Sequence, residues 1–98
     1  SNLFFIKNGQ LYTPPIEAGL LPGIVRAYLC SRYDVVERAI VPDEIGTFDE
    51  CFITNSLMGI MAVRQFGENA FPVSEKTQTA ALFQRYVQDR LRPFSGPL

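Results

Sequence analysis

The chain begins with two short apolar runs separated by a polar turn. Leu3–Ile6 forms the first run, Leu11–Thr13 forms the second, and Asn8-Gly9 lies between them. Because both residues of an Asn-Gly pair tolerate positive φ, this pattern is a strong local signal for a β-hairpin. Pro14-Pro15 follows, and we expect it to end the second strand because proline cannot donate to a strand ladder.

A first helix is indicated within Gly19–Tyr33, after a short loop. Pro22 suits the first helical turn, where its missing N–H costs nothing. Apolar residues then recur at helical spacing and should form the buried face. The residues of that face are Leu21, Val25, Tyr28 and Leu29.

A second helix is indicated from Ser74 to about Arg92. Ser74 is the expected N-cap, and Pro93 with Gly96 should stop the helix. Its expected buried stripe consists of Ala80, Phe83, Val87 and Leu91.

Between these helices, strand-like runs alternate with turn residues. The predicted strands are Asp34–Ile40, Glu50–Thr54 and Ile60–Phe66, with a helical turn at Pro42–Ile45 and a second hairpin turn at Gly67–Asn69. The chain has no internal repeat and no linker-like segment. We therefore expect residues 1–98 to form a single α+β (mixed α/β) domain with about six strands and two main helices.

Composition excludes several classes of function. The formal charge is −1, whereas a non-specific nucleic-acid binder needs a concentrated basic face. The absence of histidine removes histidine-dependent triads and histidine-ligated metals. No apolar stretch is long enough to cross a membrane, and Cys30 and Cys51 lack a CxxC spacing. We expect a cytoplasmic globular protein with no metal site and with both thiols buried and reduced.

Two segments have the chemistry to hold an anion. Leu21–Arg26 places a Pro-Gly step at a helix start, where unpaired N–H groups and the helix dipole attract phosphate. Thr54–Ser56 brings hydroxyl and amide groups to the end of an apolar strand. From the residues alone, an ordinary helix start and an ordinary turn remain the simpler explanations.

The order of the motifs, however, resembles a known family. The motifs are Asn2–Gly9, Leu11–Pro15, Leu20–Arg26 and Asp49–Ile60. Together they are similar to the class IV aminotransferases, the fold-type IV pyridoxal-phosphate enzymes. The resemblance covers nearly the whole chain and implies a C-terminal domain with hairpins and a mixed, barrel-like sheet. The sequence Asn55–Ile60 resembles the aminodeoxychorismate lyase branch most.

The resemblance also implies a binding site for the phosphate of pyridoxal phosphate. The backbone amides of Ile24 and Val25 would hold the phosphate, Gly23 would allow close approach, and Asn55 and Ser56 would complete the cup. The same helix start has the unpaired N–H groups and the dipole that attract phosphate on physical grounds.

On the substrate side, the resemblance implies that the amide of Leu57 faces the substrate carboxylate. Leu57–Gly59 would add an apolar lining with little bulk at its end. One departure from the family is Ala62, where proline usually precedes the valine that corresponds to Val63. The turn after Gly59 is therefore expected to be looser here.

The catalytic groups of the family are expected elsewhere. The lysine that bonds to the cofactor and the glutamate that pairs with its pyridine nitrogen would both precede Ser1. Lys7 flanks a hairpin turn and Lys76 begins a surface helix, whereas a catalytic amine needs a desolvated pocket. The chain also opens in apolar sequence without a methionine. We expect an inactive piece of a longer enzyme, partnered by its own N-terminal half in a homodimer.

Three functions follow as hypotheses. The first is a lyase that converts aminodeoxychorismate into 4-aminobenzoate and pyruvate for folate synthesis. The second is a branched-chain or D-amino-acid aminotransferase, which also takes a small amino-acid-like substrate. The third is a non-catalytic fragment that binds an anion or a partner chain.

Overall fold

The computed structural model describes residues 1–17 and 21–91 and shows a mixed α+β arrangement, as predicted. A short 3₁₀ helix, Pro42–Thr47, accompanies the main elements. The strands are β1 (Asn2–Lys7), β2 (Gln10–Thr13), β3 (Val35–Glu37), β4 (Glu50–Asn55), β5 (Gly59–Ala62), β6 (Gln65–Phe66) and β7 (Asn69–Ala70). The helices are α1 (Ile24–Arg32) and α2 (Gln78–Leu91).

Strand β1 lies at the centre of a five-stranded sheet whose order is β3-β2-β1-β4-β5. Within this described sheet the β2–β3 pair is parallel, and β1 pairs antiparallel with both β2 and β4, as β4 does with β5. Asn2 is opposite Thr54 at one end of the β1–β4 ladder, and Ile6 is opposite Glu50 at the other end. This register brings the start of β1 and the end of β4 to the same edge of the sheet.

The predicted hairpin is confirmed. Asn8 and Gly9 have φ values of 50° and 80°, as a two-residue turn with two left-handed positions requires. Strand β2 ends at Thr13, immediately before Pro14. The turn therefore fixes the β1–β2 register from a purely local signal.

The central strand is buried on both faces, which explains its continuous apolar run. One face carries Phe4 and Ile6 against both helices, and the other carries Phe5. The first core also contains Leu11, Val25, Leu29, Phe52, Ile60, Leu82 and Tyr86. The second contains Ile45, Phe48, Cys51 and Phe71.

Helix α1 differs from its prediction at its start and on its buried face. It begins at Ile24 with Gly23 as N-cap, so Pro22 lies outside the helix. Leu21 is 92% exposed, whereas Arg26 is buried beside Val25 and Leu29. The prediction for Leu21 was wrong because that residue precedes the helix and does not share its periodicity.

Helix α2 begins later than predicted and buries a different stripe. Ser74 is not its N-cap; it accepts a hydrogen bond from Lys76 N within a turn, and Thr77 Oγ1 caps the helix by accepting from Ala80 N. The buried residues are Thr79, Leu82 and Tyr86, while the predicted Phe83 and Leu91 are 40% and 75% exposed. The expected stop at Pro93 and Gly96 lies outside the described residues.

Glu50 accounts for the rotation of α2. Its carboxylate accepts hydrogen bonds from the backbone N of Gln78 at 2.9 Å and of Thr79 at 2.7 Å, and from Thr79 Oγ1 at 2.7 Å. The Glu50 residue is only 7% exposed. It satisfies orphan donors of the first helical turn and turns Thr79 toward the sheet.

Two further predictions need correction. The predicted strand Ile60–Phe66 divides into β5 and β6 because the chain leaves the main sheet after Ala62. Both thiols were expected to be buried, but only Cys51 is buried, and Cys30 is exposed. Burial raises the pKa of the Cys51 thiol to about 12.

Within the described residues, no helix is long and apolar enough to cross a bilayer.

Replacing Glu50 should destabilise the domain more than replacing an exposed glutamate nearby. We expect Glu50→Ala to lower the unfolding free energy by about 1–3 kcal/mol, because buried donors of α2 lose their acceptor. Glu75→Ala, at an exposed position before the same helix, should change it by less than about 0.5 kcal/mol. Urea denaturation followed by circular dichroism measures both values, and equal losses would contradict the capping role.

Candidate functional site

The two segments singled out in the sequence meet at one edge of the sheet. They line a shallow cavity of about 80 Å³, which we call the cup. Its lining consists of Ser1, Asn2, Gly23, Ile24, Val25, Arg26, Thr54, Asn55 and Ser56. The predicted phosphate-binding residues are all among them, and none of the lining residues is acidic.

The start of α1 supplies the donors of the cup. The carbonyl of Gly23 accepts the first helical hydrogen bond, from Ala27 N at 3.1 Å. The preceding amides, those of Ile24, Val25 and Arg26, have no hydrogen-bond partner among the described residues. Three adjacent N–H groups at the positive end of a helix form a binding site suited to a phosphate or carboxylate.

Gly23 and Asn2 fix the position of this helix start. Gly23 has φ 83° and ψ 149°, a conformation that side chains rarely allow. Asn2 Nδ2 donates to Pro22 O at 2.9 Å and so ties the loop to β1. No local sequence signal indicates this role of Asn2, because the bond spans 20 residues.

The second wall of the cup is the end of β4 and the turn that follows. Thr54 is 2% exposed and its Oγ1 donates to Asn2 O at 3.4 Å, so its hydroxyl joins the strands. Asn55 Oδ1 accepts from the backbone N of Leu57 at 2.7 Å and of Met58 at 3.2 Å. This leaves Nδ2 of Asn55 and the hydroxyl of Ser56 as the donor groups of this wall.

The Leu57 backbone amide is engaged within its own turn by Asn55, and Leu57 does not line the cup. Its proposed contact with a substrate carboxylate stays a prediction.

Close packing against α2 requires a glycine at position 59. It has φ 82°, and a Cβ there would lie 2.8 Å from Tyr86 Cε2, so the glycine permits close packing against α2.

A larger cavity of about 370 Å³ adjoins the cup and shares Ile24 and Ser56 with it. Tyr28, Tyr86 and Asp89 line its far side. Tyr28 Oη donates to Asp89 Oδ2 at 2.6 Å, and burial together with this bond raises the tyrosine pKa. The phenol is therefore a protonated donor at neutral pH.

Neither lysine of the chain lies at the cup. Lys7 ends β1, roughly 16 Å along the strand from Asn2 at about 3.3 Å per residue. Lys76 precedes α2, whose first turn is bound to Glu50 at the opposite end of β4. Among the described residues, no three acidic, cysteine or histidine side chains cluster to hold a metal ion. The cup is therefore suited to binding an anion, and its own side chains supply no amine nucleophile.

Comparison with known proteins identifies the family. The amino-transferase class IV family matches residues 1–66. The chain belongs to this family. A Thermotoga maritima protein, provisionally named a branched-chain-amino-acid aminotransferase, is 33% identical over 92 residues, which cover 88% of this chain and 34% of that protein. The chain spans about a third of the length of the relatives it matches.

Solved structures of class IV aminotransferases share the fold. A Legionella pneumophila structure, provisionally named a 4-amino-4-deoxychorismate lyase, is 39% identical with a TM-score of 0.76, covering 90% of this chain and 34% of that one. An aminotransferase from Brucella abortus, solved with pyridoxal phosphate bound, has a TM-score of 0.69 at 22% identity, covering 88% and 33%. Class IV aminotransferases depend on pyridoxal phosphate, and the cup fits its phosphate because it offers unpartnered backbone donors and no acidic side chain.

A side chain at Gly23 should weaken this cup specifically. Gly23→Ala forces a strained conformation that costs about 1–3 kcal/mol, and relaxation of the strain moves the Ile24 and Val25 amides. In the full-length protein we expect pyridoxal-phosphate affinity to fall by about tenfold, measured by titration of the apoprotein. Gly67→Ala introduces strain at another positive-φ glycine, in the distant β6–β7 turn, and should leave the affinity unchanged. Equal affinities for both variants would contradict the role of Gly23.

Proposed function

We propose that this chain forms the phosphate-binding part of a pyridoxal-phosphate-dependent 4-amino-4-deoxychorismate lyase. The observation that carries the proposal is the cup itself, in which the amides at the start of α1 face Asn55 and Ser56 across one edge of the sheet. A phosphate held there has backbone donors on one side and side-chain donors on the other. The cofactor, when bound, supplies an electron sink for the reacting substrate.

Each wall of the cup performs a separate part of the binding. The amides of Ile24, Val25 and Arg26 meet the phosphate charge together with the helix dipole. The hydroxyl of Ser56 and Nδ2 of Asn55 add side-chain hydrogen bonds from the second wall. Because these donors lie at the end of β4, in the turn after it and at the start of α1, which packs on the same sheet, the phosphate anchors the cofactor in one fixed orientation.

The reacting amine is expected from the part of the enzyme outside these 98 residues. Lys7 and Lys76 lie at the other end of the sheet, and we propose that the catalytic lysine and the glutamate at the pyridine nitrogen come from the N-terminal half. The isolated chain would then bind the phosphate end without turnover. We further propose a homodimer in the cytoplasm, a compartment that fits two free cysteines.

The turn after β4 supports the lyase over an aminotransferase, because the Asn55–Ile60 sequence resembles the lyase branch. Overall identity does not separate the two functions: two solved structures named as lyases are 39% and 32% identical, and the Thermotoga maritima aminotransferase structure is 31% identical. The second candidate is a branched-chain or D-amino-acid aminotransferase, and the curated relatives support its branched-chain form. A non-catalytic anion-binding fragment describes only the isolated chain.

Removing the Ser56 hydroxyl should weaken cofactor binding in the full-length protein. Ser56→Ala deletes one hydrogen bond to a charged group, worth about 1.5–3 kcal/mol, so the affinity should fall by about 10- to 100-fold. Ile24→Ala should have a far smaller effect because its backbone amide is retained. Titration of apoprotein with pyridoxal phosphate measures both, and wild-type affinity in Ser56→Ala would refute this assignment.

The reaction is tested directly with aminodeoxychorismate. A lyase converts this single substrate into 4-aminobenzoate and pyruvate, and the full-length enzyme should do so without an added keto acid. An aminotransferase instead needs an amino donor and a keto-acid acceptor. Both products are quantified by chromatography. Faster amino transfer from glutamate, branched-chain amino acids or D-alanine to a keto acid would assign the aminotransferase function instead.

A further inference from the structure

Arg26 is a buried charge next to the cup. It is 3% exposed, although it lies in the first turn of a helix whose neighbouring positions Ile24 and Ala27 are exposed. Burying a guanidinium costs desolvation free energy unless hydrogen bonds and an opposite charge compensate it. The contacts of the Arg26 side chain therefore indicate its structural role.

The side chain reaches back to the end of β2. Nη1 donates to Thr13 Oγ1 at 3.0 Å and to Pro14 O at 3.1 Å. Thr13 is fully buried, and its hydroxyl in turn donates to Leu3 O at 2.7 Å. A continuous hydrogen-bonded chain therefore links α1 through β2 to β1, ending one residue from Asn2.

The second nitrogen of the guanidinium is less well satisfied. Nη2 lies 3.1 Å from Glu37 Oε2, a half-exposed carboxylate on β3. The contact is an ion pair without hydrogen-bond geometry, and Nη2 has no hydrogen-bond partner among the described residues. Nη2 of Arg26 is thus paired by charge with Glu37 but makes no hydrogen bond.

The main chain of the same residue belongs to the cup. Its amide is the third unpartnered donor at the start of α1, after those of Ile24 and Val25. The Arg26 side chain holds this turn on β2, while Asn2 holds the loop before it through Pro22 O. Two anchors therefore flank Gly23 and fix the direction of the three amides.

We propose that Arg26 is a positioning residue for the cofactor phosphate. This inference rests on the proposed function of the cup. The Thr13–Arg26 bond sets the rotation of the first turn of α1, and the buried positive charge adds to the field that attracts a phosphate dianion.

The proposal is tested by comparing pyridoxal phosphate with pyridoxal, which lacks the phosphate. In the full-length apoprotein, Arg26→Met removes the charge but keeps most of the apolar stem. We expect the ratio of the two affinities to fall at least about tenfold, because only the phosphate end depends on the cup. Arg85→Met makes the same change at an exposed arginine of α2 and should leave the ratio unchanged.

A second pair of variants applies if Arg26→Met does not fold, as judged by circular dichroism. Thr13→Val removes the acceptor of Arg26 Nη1 at nearly constant volume, while Thr13→Ser retains the hydroxyl. The affinity ratio should fall in Thr13→Val and be restored in Thr13→Ser. Inorganic phosphate should also compete less well with pyridoxal phosphate in the variants with a reduced ratio.

The possible results separate this inference from the function on which it rests. If the affinities for both ligands fall by the same factor, or if neither falls, Arg26 has only a packing role and the inference is overturned. If the wild-type protein binds no pyridoxal phosphate, the proposed function itself fails. A ratio that drops in Arg26→Met but not in Arg85→Met supports the inference.

Discussion

The pairing of β1 with β4 is the constraint on which the rest of the structure depends. It sets Asn2 opposite Thr54 and so brings two distant segments of the chain to one edge of the sheet. The start of α1 is held at that edge because Asn2 Nδ2 donates to Pro22 O. The second wall of the cup is the end of β4 and the turn after it, so it lies at the same edge. Burial of β1 on both faces holds this register, since a shift by one residue would exchange the two core faces.

Buried polar side chains fix the rotation of each helix on the sheet, which the apolar core leaves undetermined. At one end of the β1–β4 ladder, Glu50 binds the first turn of α2. On the other side, Arg26 binds α1 to the end of β2 through Thr13 and Pro14. A buried charge is worth little as a net contribution to stability but is strongly destabilising when its partner is lost. These contacts therefore act mainly by selecting one rotation of each helix.

Local patterns in the sequence predicted the parts of the fold that local chemistry controls. The Asn8-Gly9 hairpin and the predicted strand Glu50–Thr54, which matches β4 to within one residue, are examples. Both anion-binding segments were predicted from turn and helix-start signals. That these segments lie together did not follow from spacing, because it depends on the pairing of β1 with β4. The resemblance to a known family implies that both segments belong to one phosphate site.

The helix faces show where local patterns are insufficient. Apolar periodicity favoured Phe83 and Leu91, yet α2 buries Thr79 because a carboxylate 29 residues earlier in the chain binds it. The burial of Arg26 similarly depends on acceptors in β2 and just beyond it. Long-range polar contacts of this kind leave no periodic trace.

The use of main-chain donors at the start of α1 has a consequence for how such an enzyme can diversify. A backbone amide is the same whatever side chain it carries, so anion recognition here places little demand on amino-acid identity. Val25 is confined by the core, but Ile24 is 75% exposed and borders the larger neighbouring cavity. Substitutions at Ile24, natural or designed, can therefore change the shape of that cavity while the backbone amides that bind the anion stay the same.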